Sequence, residues 1–292
     1  MRRWFAALAM SAALAGCSGG LPDGADGDLT NHWDAPQRAQ SWRPLTGWCF
    51  DDEQSTARPD NYAPISCDER HLTQTFYVGD LKGAAAKSTA NRGTPSPASV
   101  AAYQDCSRRA DTYVHGRWRT GWLAIRPVLP DLAGWEGGAR WFRCDIGEAD
   151  LDGELVARTG SLYSALDQSY FRMECFNPKV KDDRVTDMPD VDCARPHHAE
   201  FAGLWTAPKM SVDKLHNNSL LRKGCLSTIA HYAKVPDDSN MRYRTGWMGF
   251  PGSDLAWQAG DRTVQCFLWI SSETMTGSYR GAGPKKLHVH YA

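Results

Sequence analysis

The sequence carries almost no net charge: 33 basic residues stand against 34 acidic ones. No general attraction to nucleic acid or to an anionic surface is therefore expected. It also lacks a second long apolar run; past the N-terminus nothing approaches the roughly 20 apolar residues of a membrane span. Cysteines are present, but never as Cys-x-x-Cys and only at wide spacings, which argues against zinc, the rival to disulfides. No glycine-rich loop is placed to hold phosphate, and no serine or cysteine sits in a nucleophile elbow. No metal, no cofactor and no recognised catalytic motif is expected from these absences.

What is present begins with a leader. Arg2 and Arg3 precede a short alanine-rich apolar run, Trp4 to Ala13, the pattern of a secretory signal. It runs into Leu14-Ala15-Gly16-Cys17, which resembles the lipobox of bacterial lipoproteins. That resemblance implies a signal peptide over residues 1–17, cleavage before Cys17, and acylation of its thiol and new amine. An ordinary secretory signal is the alternative. Acyl chains on Cys17 would hold the protein on a membrane surface without a spanning helix. Residues 18–45, rich in Gly, Asp, Ala, Pro and Gln, bury too little apolar surface to order themselves and read as a flexible tether. Trp33 and Trp42 are unusual in such a tether and suggest docking on the domain or at the lipid interface.

The rest of the chain says the same thing twice. Arg119-Thr120-Gly121-Trp122 returns as Arg244-Thr245-Gly246-Trp247. Trp135, Gly138, Arg140 and Cys144 return as Trp257, Gly260, Arg262 and Cys266, with the same Trp-to-Cys step. Cys49-Phe50 and Cys175-Phe176 open the two copies, and Thr159-Gly160-Ser161 and Thr276-Gly277-Ser278 close them. So many matches in one order indicate an internal duplication, with domains over residues 46–165 and 172–283. Frequent Gly, Pro, Asp and Asn favour short strands, so each domain is expected to be α+β, a small antiparallel sheet with one main helix. Strands are expected over Thr73–Val78, Arg140–Ile146 and Arg262–Ile270, and helices over Pro97–Val114 and Ser211–Ala233. In the first of the cysteine-bearing strands Trp141, Arg143 and Asp145 share one side, with Phe142, Cys144 and Ile146 on the other. Residues 84–97 and 184–192 read as loops and 251–254 as a tight turn.

Setting Cys17 aside leaves eight cysteines, four in each copy, an even count that suits disulfides in an exported protein. Four cysteines permit three pairings. The favoured set is Cys49–Cys67, Cys106–Cys144, Cys175–Cys193 and Cys225–Cys266, because the first loop has one length in both copies, as a crosslinked loop would. Chemistry, if any, would centre on Cys-x-x-x-His. Cys193 leads to His197, His198 and Glu200, and a histidine oriented by a carboxylate can act as a base or as half a metal site. The first copy keeps His71 but has Leu72 where His198 stands and Gln74 where Glu200 stands, so a mechanism needing the carboxylate would exist once only. The structural alternative is a pair of buried, hydrogen-bonded histidines. The repeated tryptophans likewise read first as core, and as a glycan- or protein-binding row only if exposed. Arg119, Arg244, Arg140 and Arg262 would then stack on those rings or pair with acidic neighbours.

Assembled, these residues resemble the septum-formation-related domain of exported and membrane proteins of actinobacteria. Its pattern is an early Cys-Phe, Cys-x-x-x-His-x-x-Glu, a third cysteine, Trp-x-x-Gly-x-Arg before the last cysteine, and Thr-Gly-Ser. The second copy fits in full, and the first has Gln74 for the glutamate. The resemblance implies a role in the envelope or division septum and brings no catalytic residue with it. The expectation is a lipid-anchored, non-enzymatic binding or scaffold protein on the outer face of the cytoplasmic membrane, its partner an envelope or division protein or a wall glycan. The rival is an envelope hydrolase using His197 and Glu200, with or without zinc.

Overall fold

The computed structural model describes residues 42–54, 56–88, 95–182, 184–216 and 219–290. Cys17, the leader and Trp33 lie outside them. The first half contributes strands β1 (Cys49–Phe50), β2 (Thr73–Asp80), β3 (Leu123–Pro130) and β4 (Trp141–Ala149), with helix α1 (Pro97–Tyr113) between β2 and β3. The second contributes β5 (Cys175–Phe176), β6 (Ala199–Thr206), β7 (Gly246–Pro251) and β8 (Thr263–Trp269), with helix α2 (Ser219–Ala233) between β6 and β7. The strand orders are β1-β2-β4-β3 and β5-β6-β8-β7, so the two sheets share one topology. All these pairings are antiparallel. Even an irregularity repeats: the register shifts between Thr75 and Tyr77 in β2 and between Phe201 and Gly203 in β6. The chain is α+β, as its punctuation suggests.

Local chemistry accounts for the helices. Ser96 caps α1, its hydroxyl accepting from the Ser99 amide at 3.1 Å while Ser99 Oγ accepts from the Ser96 amide at 2.8 Å, and Pro97 fills the first turn. The face of α1 bearing Ala98, Ala102, Tyr103, Cys106 and Ala110 is buried against the sheet. Four disulfides take the favoured pairings. Cys106–Cys144 and Cys225–Cys266 staple each helix to the central strand of its sheet, and Cys49–Cys67 and Cys175–Cys193 tie each first strand to the loop before the histidine. Loops of this length contribute about 3–4 kcal/mol each on a chain-entropy account.

Strand β4 alternates as read, with Phe142, Cys144 and Ile146 towards α1, but its other face is equally dry. There Arg143 and Asp145 form an ion pair of 2.7 Å at 0% and 2% side-chain exposure. Thr75 donates to Asp145 at 2.7 Å, and Phe50 lies under the guanidinium at 4.2 Å.

Several local expectations are corrected. The 84–97 loop includes a short helix, Gly83–Lys87, and ends at the start of α1. The helix expected over Ser211–Ala233 is two, Val212–His216 and α2. Residues 251–254 are no tight turn: β7 ends at Pro251 and Ser253 caps a helix, Asp254–Gln258. The 184–192 loop holds a strand, Arg184–Asp187, hairpinned with Lys179–Lys181, and a short strand, Asp190–Val191, paired with β5. Strands β3 and β7 are not among the expected elements, and each contains proline. Proline is tolerated there because β7 is an edge strand and β3 is flanked beyond β4 only by two-residue Thr56–Ala57. Trp42, assigned by composition to the tether, is docked: its ring lies 5.0 Å from Tyr62 and 5.6 Å from Trp141, edge-on to both. Among the described residues no helix is long and apolar enough to cross a membrane.

Both halves belong to one compact unit, Ser41–Ala292. Arg119 donates to Asp261 at 2.7 Å, Gln104 to the Ala259 carbonyl at 2.7 Å and Gln265 to the Arg119 carbonyl at 2.9 Å. Trp122 leaves its own sheet to pack beside Phe176 and Phe267 of the second half.

Candidate functional site

The Cys-x-x-x-His element of each half folds into a corner where three repeated words meet. In the second half the His197 backbone pairs with Met275 through two hydrogen bonds, of 3.0 and 2.8 Å. The Gly277 amide, two residues on, donates to the Cys193 carbonyl at 2.8 Å. The first half repeats this with His71 on Arg158 and Gly160 on Cys67. Glycine is required in the closing Thr-Gly-Ser because both Gly160 and Gly277 have left-handed backbones, φ +82° and +68°.

Glu200 is the centre of the second corner. Its carboxylate accepts from His197 Nε2 at 2.8 Å, Tyr232 Oη at 2.6 Å, the Tyr279 amide at 2.9 Å and Ser278 Oγ at 3.2 Å. His197 Nδ1 faces the Arg195 carbonyl at 2.8 Å, so both ring nitrogens are engaged by oxygens. His197 and Glu200 are both 0% exposed. Burial and the neighbouring Glu200 charge push the Tyr232 phenol far above its ordinary range and keep it a donor. Glu200 thereby ties β6 to α2 and to the closing loop: it is a clamp.

Gln74 occupies the same place in the first half and makes the equivalent tie. Its Oε1 accepts from the Leu162 amide at 2.8 Å and Ser161 Oγ at 3.1 Å. His71 Nδ1 donates to the Glu69 carbonyl at 2.8 Å, but among the described residues its buried Nε2 has no hydrogen-bond partner. An amide thus clamps the loop without charging the histidine. Burial lowers the His71 pKa from 6.5, the charge of Arg158 acts in the same direction, and the bond to Glu69 offsets only part. Above pH 6.5 folded and unfolded chains both hold His71 neutral. Below it the unfolded chain binds the proton more readily, so stability is lost as pH falls towards the lowered folded value. Urea midpoints measured between about pH 5 and 7.5 should fall on the acid side in the parent and less so in His71→Asn; equal slopes would remove this account.

His198 is not part of the corner. Its Nδ1 turns to the Ile270 and Glu273 carbonyls at 3.0 and 3.1 Å. Cys175, His197 and Glu200 do bring ligand atoms within 4.8 Å of one another. Cys175 Sγ is nevertheless bonded to Cys193, and both Glu200 oxygens already hold protein donors, so this set does not fit a metal. A general base must also reach its substrate, and a histidine sealed in this way reaches none.

The other repeated words are structural. Trp135 and Trp257 are 3% and 4% exposed, each on a short helix ended by a left-handed glycine, Gly138 at φ +94° and Gly260 at φ +87°. Arg140 and Arg262 fold back over those indoles at 4.2 and 4.7 Å. Arg119 reaches across to Asp261, and Arg244, 8% exposed, donates to the Leu287 carbonyl. Trp122 and Trp247 are half-buried against apolar clusters, so they form no exposed row. The sequence reading missed the cleft between the halves, about 450 Å³, lined by Trp118, Arg119, Arg126, Asp152, Phe250 and Pro251 among others. Its residues come from distant words, and only the packing of the halves unites them.

No curated protein and no solved structure matches the chain. A family model described as septum formation matches residues 46–266, one continuous span that takes in His71, His197 and Glu200 and all four disulfides and stops before the second closing loop. The chain therefore belongs to the septum-formation family.

Proposed function

We propose that this protein is a non-catalytic binding or scaffold protein of the envelope or division septum, anchored through lipidated Cys17 to the outer face of the cytoplasmic membrane. The observation that carries the reading is the state of the His197–Glu200 corner. The pair that the Cys-x-x-x-His element offers as an acid–base centre is buried, saturated with internal hydrogen bonds and used to hold a loop. An envelope hydrolase would need that pair open to substrate. The cleft between the halves is the surface proposed to hold the partner, since ligand sites favour seams between packed units. Its rim presents exposed Asp152 and Glu154 beside apolar Trp118 and Phe250.

In-cell crosslinking of the full chain tests this. A division or envelope protein, or wall glycan, should be captured, and capture should fall in the Asp152→Lys, Glu154→Lys double variant at an unchanged melting temperature. Intact mass should place acylated Cys17 at the mature N-terminus. Cleavage of peptidoglycan by the purified protein, lost on His197→Gln, would establish the hydrolase instead.

A further inference from the structure

Outside the corners, three side chains of the second half converge on the surface: Glu273, His288 and His290. One carboxylate oxygen and one nitrogen from each imidazole lie within 4.8 Å of one another. His290 Nδ1 stands 3.5 Å from Glu273 Oε1, and the two imidazole rings are 4.1 Å apart between centroids. We propose that Glu273, His288 and His290 bind a divalent transition-metal ion of the zinc class.

The sequence supplies the two imidazoles as His-x-His, and residues two apart on extended backbone project to the same side. The fold then fixes where that side points. Leu287, 1% exposed, buries the start of the segment, Arg244 Nη1 donates to its carbonyl at 2.7 Å, and the His290 amide donates to the Tyr243 carbonyl at 2.8 Å. The segment is anchored on both sides of His288. Glu273 arrives from the loop after β8, held by His198 through its bonds to the Ile270 and Glu273 carbonyls and by the Ile270 amide donating to the His198 carbonyl at 2.9 Å. His198, which the sequence groups with the candidate catalytic residues, thus positions this cluster instead.

The donor set selects the ion. Two imidazoles and one carboxylate suit zinc, copper or nickel; calcium and magnesium prefer oxygen ligands alone. Bonds of about 2.0–2.2 Å around a tetrahedral ion put ligand atoms roughly 3.3–3.6 Å apart. Small side-chain rotations close the present spread, and Glu273 and His288 are exposed, so nothing packed resists them. Three protein ligands leave a fourth position for water or for a donor from another molecule. The site differs from the buried corner in both respects that ruled a metal out there: its donors are not covalently engaged, and an ion can reach them.

Equilibrium dialysis of the full chain, purified without an affinity tag, against zinc chloride with elemental analysis tests the site. One zinc ion per chain is expected, with affinity falling at least tenfold in Glu273→Gln and further in His288→Ala and His290→Ala. His231→Asn, an exposed histidine on α2, should bind as the parent does. All four variants should melt like the parent without zinc, and zinc should raise the melting temperature of the parent and of His231→Asn only. No stoichiometric binding, equal affinity in the parent and the three ligand variants, or equal binding of calcium would overturn the proposal.

Discussion

Glu200→Ala is expected to lose about 3–5 kcal/mol of stability, the range for breaking a buried charged pair by removing one partner. The deletion leaves the His197 imidazole, the Tyr232 hydroxyl and the Tyr279 amide facing a void from which water is excluded. Glu200→Gln separates clamp from charge. Gln74 performs the same tie in the first half, so an amide at 200 should keep the closing loop attached and restore much of the loss. Urea denaturation with the disulfides intact measures both. If Glu200→Gln is as damaging as Glu200→Ala, the carboxylate itself, rather than the loop tie, is what the corner needs. If neither variant loses stability, the clamp does not exist.

Trp122→Ala should cost a similar amount, about 3–5 kcal/mol, the usual range for deleting a packed Trp or Phe. It should also be felt in the half that does not contain it. The indole lies edge-on to Phe176 at 5.7 Å and stacked with Phe267 at 6.4 Å, both in the second half. Hydrogen exchange should therefore quicken in β5 and β8 as well as in β3. Trp122→Phe, which keeps ring packing and loses only the indole N–H, should recover more than half of the loss. Trp247 begins from the same repeated word but packs within its own half, against the clusters around Met241 and Trp257. Its removal should leave exchange in the first half unchanged. Damage confined to the first half in Trp122→Ala would mean that the halves are not coupled through this residue.

The contrast between Trp122 and Trp247 also marks how far the sequence can be read. The duplicated words, the cysteine pairings, the capped helix α1 and the strands carrying Cys144 and Cys266 were all legible. Each follows from spacing, and spacing records local geometry: a fixed crosslinked loop, a 3.6-residue face, a two-residue alternation. Strands β3 and β7 were hidden by Pro127, Pro130 and Pro251, which forbid a central strand but not one at or near an edge, and edge position belongs to the assembled sheet. Docking on the domain was one of two readings of Trp42, and the surface it meets was hidden, since composition describes a segment and not its surroundings.

For the candidate site the division is sharper. The sequence alone established that His71 and His197 are equivalent, that Glu200 stands where Gln74 does, and that the acid–base composition occurs once. Only the tertiary structure decided what that pair does. Tyr232 from α2 and Ser278 and Tyr279 from the closing loop occupy the carboxylate, and these donors come from sequence positions 32 to 79 residues away. The Glu273–His288–His290 cluster depends in the same way on a loop held by His198 and a late segment held by Tyr243 and Arg244. Whether a polar group is sealed or reachable is set by what packs over it. That packing is the sum of contacts between distant segments, which no local pattern in the chain records.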